Sequence, residues 1–199
     1  GMKKIFRSLA LVSVVSLAAC AQPELPKDHY YRLQVQGPDK AMNEPLFKGT
    51  IEVERFLADG LTAGRPIVYS EAGSEHQLLE YHYHFWTEPP VVMLRDQLID
   101  FLRAAKVSDM IVSPEMRSRP DYRLTAKIKR LEKIVGPKPS AIAELQLGLQ
   151  DEQNGEIIHL ANYRVEVGAQ SATVGDAVIA MNKALNEIYS RFVASLGKL

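Results

Sequence analysis

Cysteine is almost missing from this chain of 199 residues: Cys20 is the one thiol. No intramolecular disulfide can therefore form. Net charge is missing too, because 24 basic residues balance 24 acidic ones. Binding to nucleic acid wants a basic patch, and a polybasic membrane-binding surface wants clustered lysines and arginines; neither is written here. The residues hold no GxSxG, HExxH, P-loop or GxGxxG motif, so the common hydrolase, zinc-protease and nucleotide-binding signatures are excluded. Solenoid repeats and low-complexity stretches are absent as well. The apolar run of residues 9–19 covers about ten residues, broken by Ser13 and Ser16. A helix needs roughly twenty to cross a bilayer, so this run is too short for a permanent transmembrane span.

What is present begins with the setting of that run. Lys3, Lys4 and Arg7 precede it, and Leu17-Ala18-Ala19-Cys20 ends it. A charged segment, an apolar segment and small residues before a cleavage point make a secretory signal peptide. A cysteine directly after the small residues resembles the lipobox of bacterial lipoproteins. That resemblance implies removal of residues 1–19 and lipidation of Cys20, with diacylglycerol on its thiol and a further acyl chain on its freed amine. An ordinary signal peptide followed by a chance cysteine is the alternative. Acyl chains contribute about 0.8 kcal/mol per buried CH₂, and stable anchoring takes more than one chain. The mature chain from Cys20 carries a net charge of −3 once Lys3, Lys4 and Arg7 are gone. Residues 20–28, with Pro23 and Pro26, read as an extended tether, and 29–199 as one domain.

Within 29–199 the hydrophobic period is mostly two. Residues 30–35 place Tyr31, Leu33 and Val35 on one face, as a strand does. Residues 51–56 alternate up to Val53 and then shift phase near Arg55, which predicts a bulge. A short apolar strand follows at 67–69. A longer one at 78–86 sets Leu79, Tyr81, Tyr83 and Phe85 on one face. Pro89-Pro90 stops it and opens a helix over 91–106, whose stripe is Val91, Leu94, Leu98, Phe101, Leu102 and Ala105. Further strands are predicted at 110–112, 122–134, 141–149 and 157–167. Asn154-Gly155 marks a tight hairpin between the last two. A final helix over 173–196 has Thr173 as its cap and Asp176 in its first turn. The expected fold is α+β: a mixed, mostly antiparallel sheet with two amphipathic helices packed on one face.

Chemistry is sparse in this framework. His82 and His84 lie two apart on a predicted strand and share a face, near His76 and Glu80. Such a pair can hold zinc or copper if a third ligand converges. The competing reading is polar residues on the solvent side of a strand whose tyrosines face the core, and no metal or cofactor is expected. Asp96 and Asp100 fall beside Arg95 and Arg103 on the polar side of a helix and read as a solvated face. Glu115 and Asp121 show no partnership. Trp86, before Glu88-Pro89-Pro90, reads as a packing anchor. These residues give no catalytic set.

Several segments, taken in order, resemble the PqiC-type family of ABC-transport auxiliary lipoproteins. They are Tyr30-Tyr31-Arg32-Leu33; Ile51-Glu52-Val53-Glu54-Arg55-Phe56 with Leu61; and Gly64-Arg65-Pro66-Ile67-Val68-Tyr69. Next come Tyr81-His82-Tyr83-His84-Phe85-Trp86-Thr87-Glu88-Pro89-Pro90, then Asp121-Tyr122-Arg123-Leu124 and the strand at 141–149. The resemblance implies a non-enzymatic envelope lipoprotein that partners an MCE-domain protein in a lipid (phospholipid) transport system. It would dock the end of a periplasm-spanning assembly at the outer membrane and could form a homo-oligomeric ring. Ala21 after the lipidated cysteine favours the outer membrane under the sorting rule of enterobacteria. An outer-membrane assembly factor or chaperone that binds client protein or lipopolysaccharide is the second reading. The candidate partner surface is Arg55, Gly64, Arg65, Pro66, Tyr69 and Trp86. A plain structural turn at 55–69 competes with it. The tyrosine–histidine strand is either an edge for subunit pairing or core.

Overall fold

The computed structural model describes residues 22–199. The signal segment, Cys20 and Ala21 lie outside the described residues. The elements are β1 (His29–Tyr31), β2 (Phe47–Val53), β3 (Leu57–Ala58), β4 (Pro66–Glu71), β5 (Leu79–Trp86), α1 (Pro90–Ala105), β6 (Ser108–Val112), β7 (Tyr122–Val135), β8 (Ser140–Asp151), β9 (Ile157–Gly168) and α2 (Val174–Leu196). The nine strands form one curled, mixed sheet.

The organising strand is β7, 14 residues long. Along one edge it pairs antiparallel with β8 over almost its whole length, from Tyr122 opposite Asp151 to Ile134 opposite Ser140. Along the other edge three short strands share it, all parallel: β2 from Tyr122 to Leu124, β3 at Lys127 and Ile128, β4 from Lys133 to Val135. The β8–β9 hairpin continues the sheet on one side. On the other, β6 joins β2 in parallel, and β5 and β1 extend outward from β4. More strand pairs are parallel than the sequence suggests, because β2, β3 and β4 all run with β7. The antiparallel ladders of β7, β8 and β9 still hold most of the paired residues, and their alternating faces are what the sequence shows.

Both helices cover one sheet face, as expected. Leu94, Leu98, Phe101 and Leu102 of α1 and Met181, Leu185, Ile188, Tyr189 and Phe192 of α2 are buried against Leu124, Ile128, Leu131, Ala143, Leu145 and Leu147. The Tyr189 ring meets Phe101 edge-on at 5.8 Å, and its hydroxyl donates to the Leu94 carbonyl at 2.9 Å. A fully buried hydroxyl needs such a partner. Pro90 opens α1 at its first position. The Thr173 side chain caps α2 by accepting the Asp176 N–H.

Three expected strands differ in detail. At 30–35 the ladder stops after Tyr31. The chain continues extended, with Leu33 2% exposed, but no strand lies beside it. Side-chain amides take over: the N–H groups of Gln34, Val35 and Gly37 donate to Asn182, Gln97 and Asn186 at 2.7, 2.8 and 2.9 Å. This strap bridges both helices, Gln97 being on α1 and the asparagines on α2. At 51–56 the phase shift is a break rather than a bulge. Glu54 donates its N–H to Leu124, while Phe56 turns inward and donates to Val91 on α1. At 78–86 the bulge lies in β5 instead. Val68 faces Glu80 and Pro66 faces Phe85, so β5 carries extra residues between them. The phase flips there. Tyr83, expected in the core, is 45% exposed, while Trp86 is 2% exposed.

Gly49 holds a tight approach. Its φ is +98°, and a side chain on it would overlap the Asp121 carboxylate, which accepts the Thr50 N–H at 2.8 Å. Gly49→Ala is expected to destabilise the fold by about 1–3 kcal/mol, through backbone strain together with displacement of Asp121. A lowered urea midpoint at unchanged slope will show it; an unchanged midpoint contradicts the account.

Candidate functional site

The bulge in β5 and the short β1 bring the predicted surface residues to one rim of the sheet. Pro66 starts β4 opposite Phe85. Arg65, just before it, is tied to Trp86 twice: the Trp86 N–H donates to the Arg65 carbonyl at 2.7 Å, and Arg65 Nε donates to the Trp86 carbonyl at 3.1 Å. The guanidinium carbon stands 5.9 Å from the centre of the Tyr30 ring, within cation–π reach. Tyr30 in turn stacks on Phe85 at 5.8 Å. Tyr30 is 57% exposed, so Tyr30, Arg65, Pro66 and Phe85 offer a compact aromatic–cationic face beside the tether. Trp86 lies beneath it as a buried anchor and presents no surface. Gly64 closes the 3-10 turn Gly60–Ala63 by donating its N–H to the Leu61 carbonyl.

Tyr69 and Arg55 do not join this face. Tyr69 is at the far end of β4, where its ring packs on Tyr81 at 4.4 Å. Arg55 is exposed in the break between β2 and β3.

Next to Tyr81 the structure assembles a cluster that the sequence showed only in part. Lys133 of β7 is buried, and its ammonium donates to the Tyr81 hydroxyl at 2.9 Å. Among the described residues it makes no ion pair. Burial pushes its pKa down. His84 stacks on His29 at 5.0 Å, meets Tyr81 edge-on at 5.3 Å, and shares a 2.9 Å hydrogen bond between its Nδ1 and the Tyr31 hydroxyl. Burial lowers its pKa first, and the nearby His29 and Lys133 charges lower it further. His82, His76 and Glu80 are exposed, and no set of three ligating side chains fit to hold a metal occurs among the described residues.

The scattered carboxylates have structural partners. Asp96 and Glu115 both accept from the buried Arg95, each at 3.1 Å, and Asp121 holds the Thr50 N–H. Two networks escaped the sequence reading. Arg123 gathers Glu52, Glu54 and Glu152 from β2, the break after it and the β8–β9 turn. Glu132, fully buried, accepts from Ser70 and from Arg130, which also reaches Glu75. Their members lie far apart in the chain, so only a known register could have revealed them.

The titration of His84 has a definite sign. Its folded-state pKa lies below the ordinary 6.5. As pH falls through the ordinary value, the unfolded chain takes up a proton that the folded state resists. The His84 contribution is thus fully present above that value and is lost toward the lower folded pKa. Unfolding midpoints measured from pH 8 to pH 5 should fall less steeply for His84→Gln than for the parent; equal slopes contradict the cluster.

Comparison with known proteins follows from this geometry. No curated protein sequence matches the chain. Among solved structures, a protein of Xanthomonas campestris is similar at 19% identity, with 85% of this chain and 97% of that one covered and a TM-score of 0.72. The PelC dodecamer of Paraburkholderia phytofirmans is similar at 13% identity, with 82% and 95% covered and a TM-score of 0.50. At these identities the likeness is one of fold. The family model described as the ABC-type transport auxiliary lipoprotein component matches residues 31–192. That span holds the strap, Arg65, Pro66 and Phe85 of the rim, the β7 spine, α1 and most of α2. The chain belongs to the ABC-type transport auxiliary lipoprotein component family, a transport family rather than an enzyme family.

Proposed function

We propose that this protein is a non-enzymatic, lipid-anchored subunit of an ABC-type lipid transport system, docking or stabilising an MCE-domain assembly at the periplasmic face of the outer membrane. The observation that carries the reading is the family match over residues 31–192. The lipobox supports the anchor: lipid on Cys20 and a tether ending at residue 28 keep the domain near the bilayer. At about 3.3–3.6 Å per residue, nine extended residues reach roughly 30 Å. The lack of convergent catalytic groups among the described residues supports a scaffolding role. PelC, whose structure is described as a dodecamer, supports a homo-oligomer here, which we read as a ring. The partner surface comprises Arg65, Pro66 and Tyr30, with Gly64 and Trp86 as its supports; Tyr69 and Arg55 lie apart from it. A cleft of about 550 Å³ lies between the strap and α2, lined by Gln34, Gln36, Ile179, Asn182, Lys183 and Asn186.

The test is capture from native membranes with Cys20 intact. An MCE-domain protein should co-purify, and Cys20→Ser should move the chain out of the membrane fraction and lose that partner. Arg65→Glu should weaken capture about tenfold or more, as loss of an interface arginine commonly does, while the chain stays membrane-bound. Capture without any MCE-domain protein overturns the reading.

A further inference from the structure

The sheet has two free edges on one continuous path. In the order β9–β8–β7–β2–β6, β9 pairs only with β8 and β6 only with β2 among the described residues. β6 runs parallel to β2, and β2 parallel to β7; β8 reverses this direction and β9 restores it. The two edge strands therefore point the same way. A second copy rotated about an axis along the strands brings its β6 edge to the β9 edge of the first in the same direction. That contact is head to tail. It uses two different surfaces, can repeat, and closes into a ring when the rotation divides a full turn. A contact of β9 with another β9 is two-fold and stops at a dimer.

The surfaces at the two edges differ and complement each other. On the β9 side, Ile157 is 61% exposed and Leu160 58%. Leu57 and Leu160 line one shallow cleft with Thr125 and Gly148. Gly148 leaves Leu160 room to lie flat across β8, since a Cβ there would stand 3.3 Å from Leu160 Cδ1. Glu156, at the hairpin before β9, is exposed and makes no ion pair among the described residues. On the β6 side, a groove of about 650 Å³ runs along Ser108–Val112. Met110 and Met116 lie in it, 57% and 67% exposed. Methionine adapts its shape to an incoming apolar group. Lys106 on the rim and Arg117 beside Met116 are exposed cations without ion pairs among the described residues. Lys127 beside the first patch is paired with Asp59 and Asp109 in the second accepts the Gly49 N–H, which leaves Glu156 on one border and Lys106 and Arg117 on the other as the charges without ion pairs among the described residues.

One detail decides how the edges meet. Arg103 donates from Nε and Nη2 to the Ile111 carbonyl at 3.0 and 2.7 Å. This occupies an acceptor on β6 and blunts the edge against open-ended strand addition. The contact therefore runs through side chains rather than a continued backbone ladder.

We propose that copies of this chain assemble head to tail, with Ile157 and Leu160 of one protomer seated in the Met110–Met116 groove of the next and Glu156 facing Lys106. This deepens the ring reading given under the proposed function and rests on it.

Membranes holding the full lipid-anchored chain give the test, with wild-type chain as background for Cys20. Leu160→Cys and Met110→Cys, on differently tagged copies produced together, should form a mixed disulfide dimer on mild oxidation. The doubly substituted chain should give a ladder, and each single variant alone should give nothing above background. Leu160→Asp and Met110→Asp, both at exposed positions, should each convert the detergent-purified ring to monomer with an unchanged melting curve. Glu156→Lys should weaken the ring, and Lys106→Glu in the same chain should restore it. Self-crosslinking of Leu160→Cys overturns the proposal in favour of a two-fold dimer. A ring by native mass without the 110–160 crosslink overturns this interface alone. A wild-type monomer overturns the ring reading and the interface together.

Discussion

The rest of the molecule depends on the backbone pairing of β7. One edge is satisfied by a single long partner, β8. The other is divided among β2, β3 and β4, each too short to be stable alone. A parallel pair needs a crossover between its strands, and α1 with β6 supplies part of that return path. Because the three short strands take successive stretches of one template, the break at 54–56 and the turn at Gly60–Ala63 are required steps. They move the chain from one stretch of β7 to the next. Phe56 fills the core at that step, and the exposed Leu57 and Arg55 are left outside it.

The apolar face created by this spine sets the helices. α1 and α2 share one side, locked by the Phe101–Tyr189 contact and by the hydroxyl of Tyr189 on a carbonyl of α1. Across the two runs the strap at 32–37, whose N–H groups go to side-chain amides because no strand is beside them. Buried or half-buried donors must find acceptors, and Asn182, Asn186 and Gln97 supply them. The strap thereby joins the tether to both helices.

The rim by the tether and the two sheet edges are the parts that look outward. Arg65 and Tyr30 form a small aromatic–cationic face over buried Trp86. Behind it, His29, His84, Tyr81 and Lys133 make a basic cluster with no acidic partner among the described residues, so burial and like charge both lower the His84 pKa. The Tyr81–Trp86 stretch, attractive in sequence as a metal site, is instead where a bulge changes which side chains face the core.

Periodicity was enough for the meander and both helices: the alternation of 122–167 and the stripe from Val174 to Leu196 carry their own geometry, because each face of a strand or helix is set by local backbone repeat. The expected signal segment and the lipobox-like run ending at Cys20 are likewise readings of the linear chain. Tertiary structure alone decided the direction of β2, β3 and β4 along β7, the phase of Tyr83 and His84, the strap in place of a strand, and the grouping of Glu52, Glu54 and Glu152 on Arg123. Each depends on which distant backbone lies alongside. Pairing partners and bulges are set by long-range register, and a one-residue change in register moves a side chain to the opposite face.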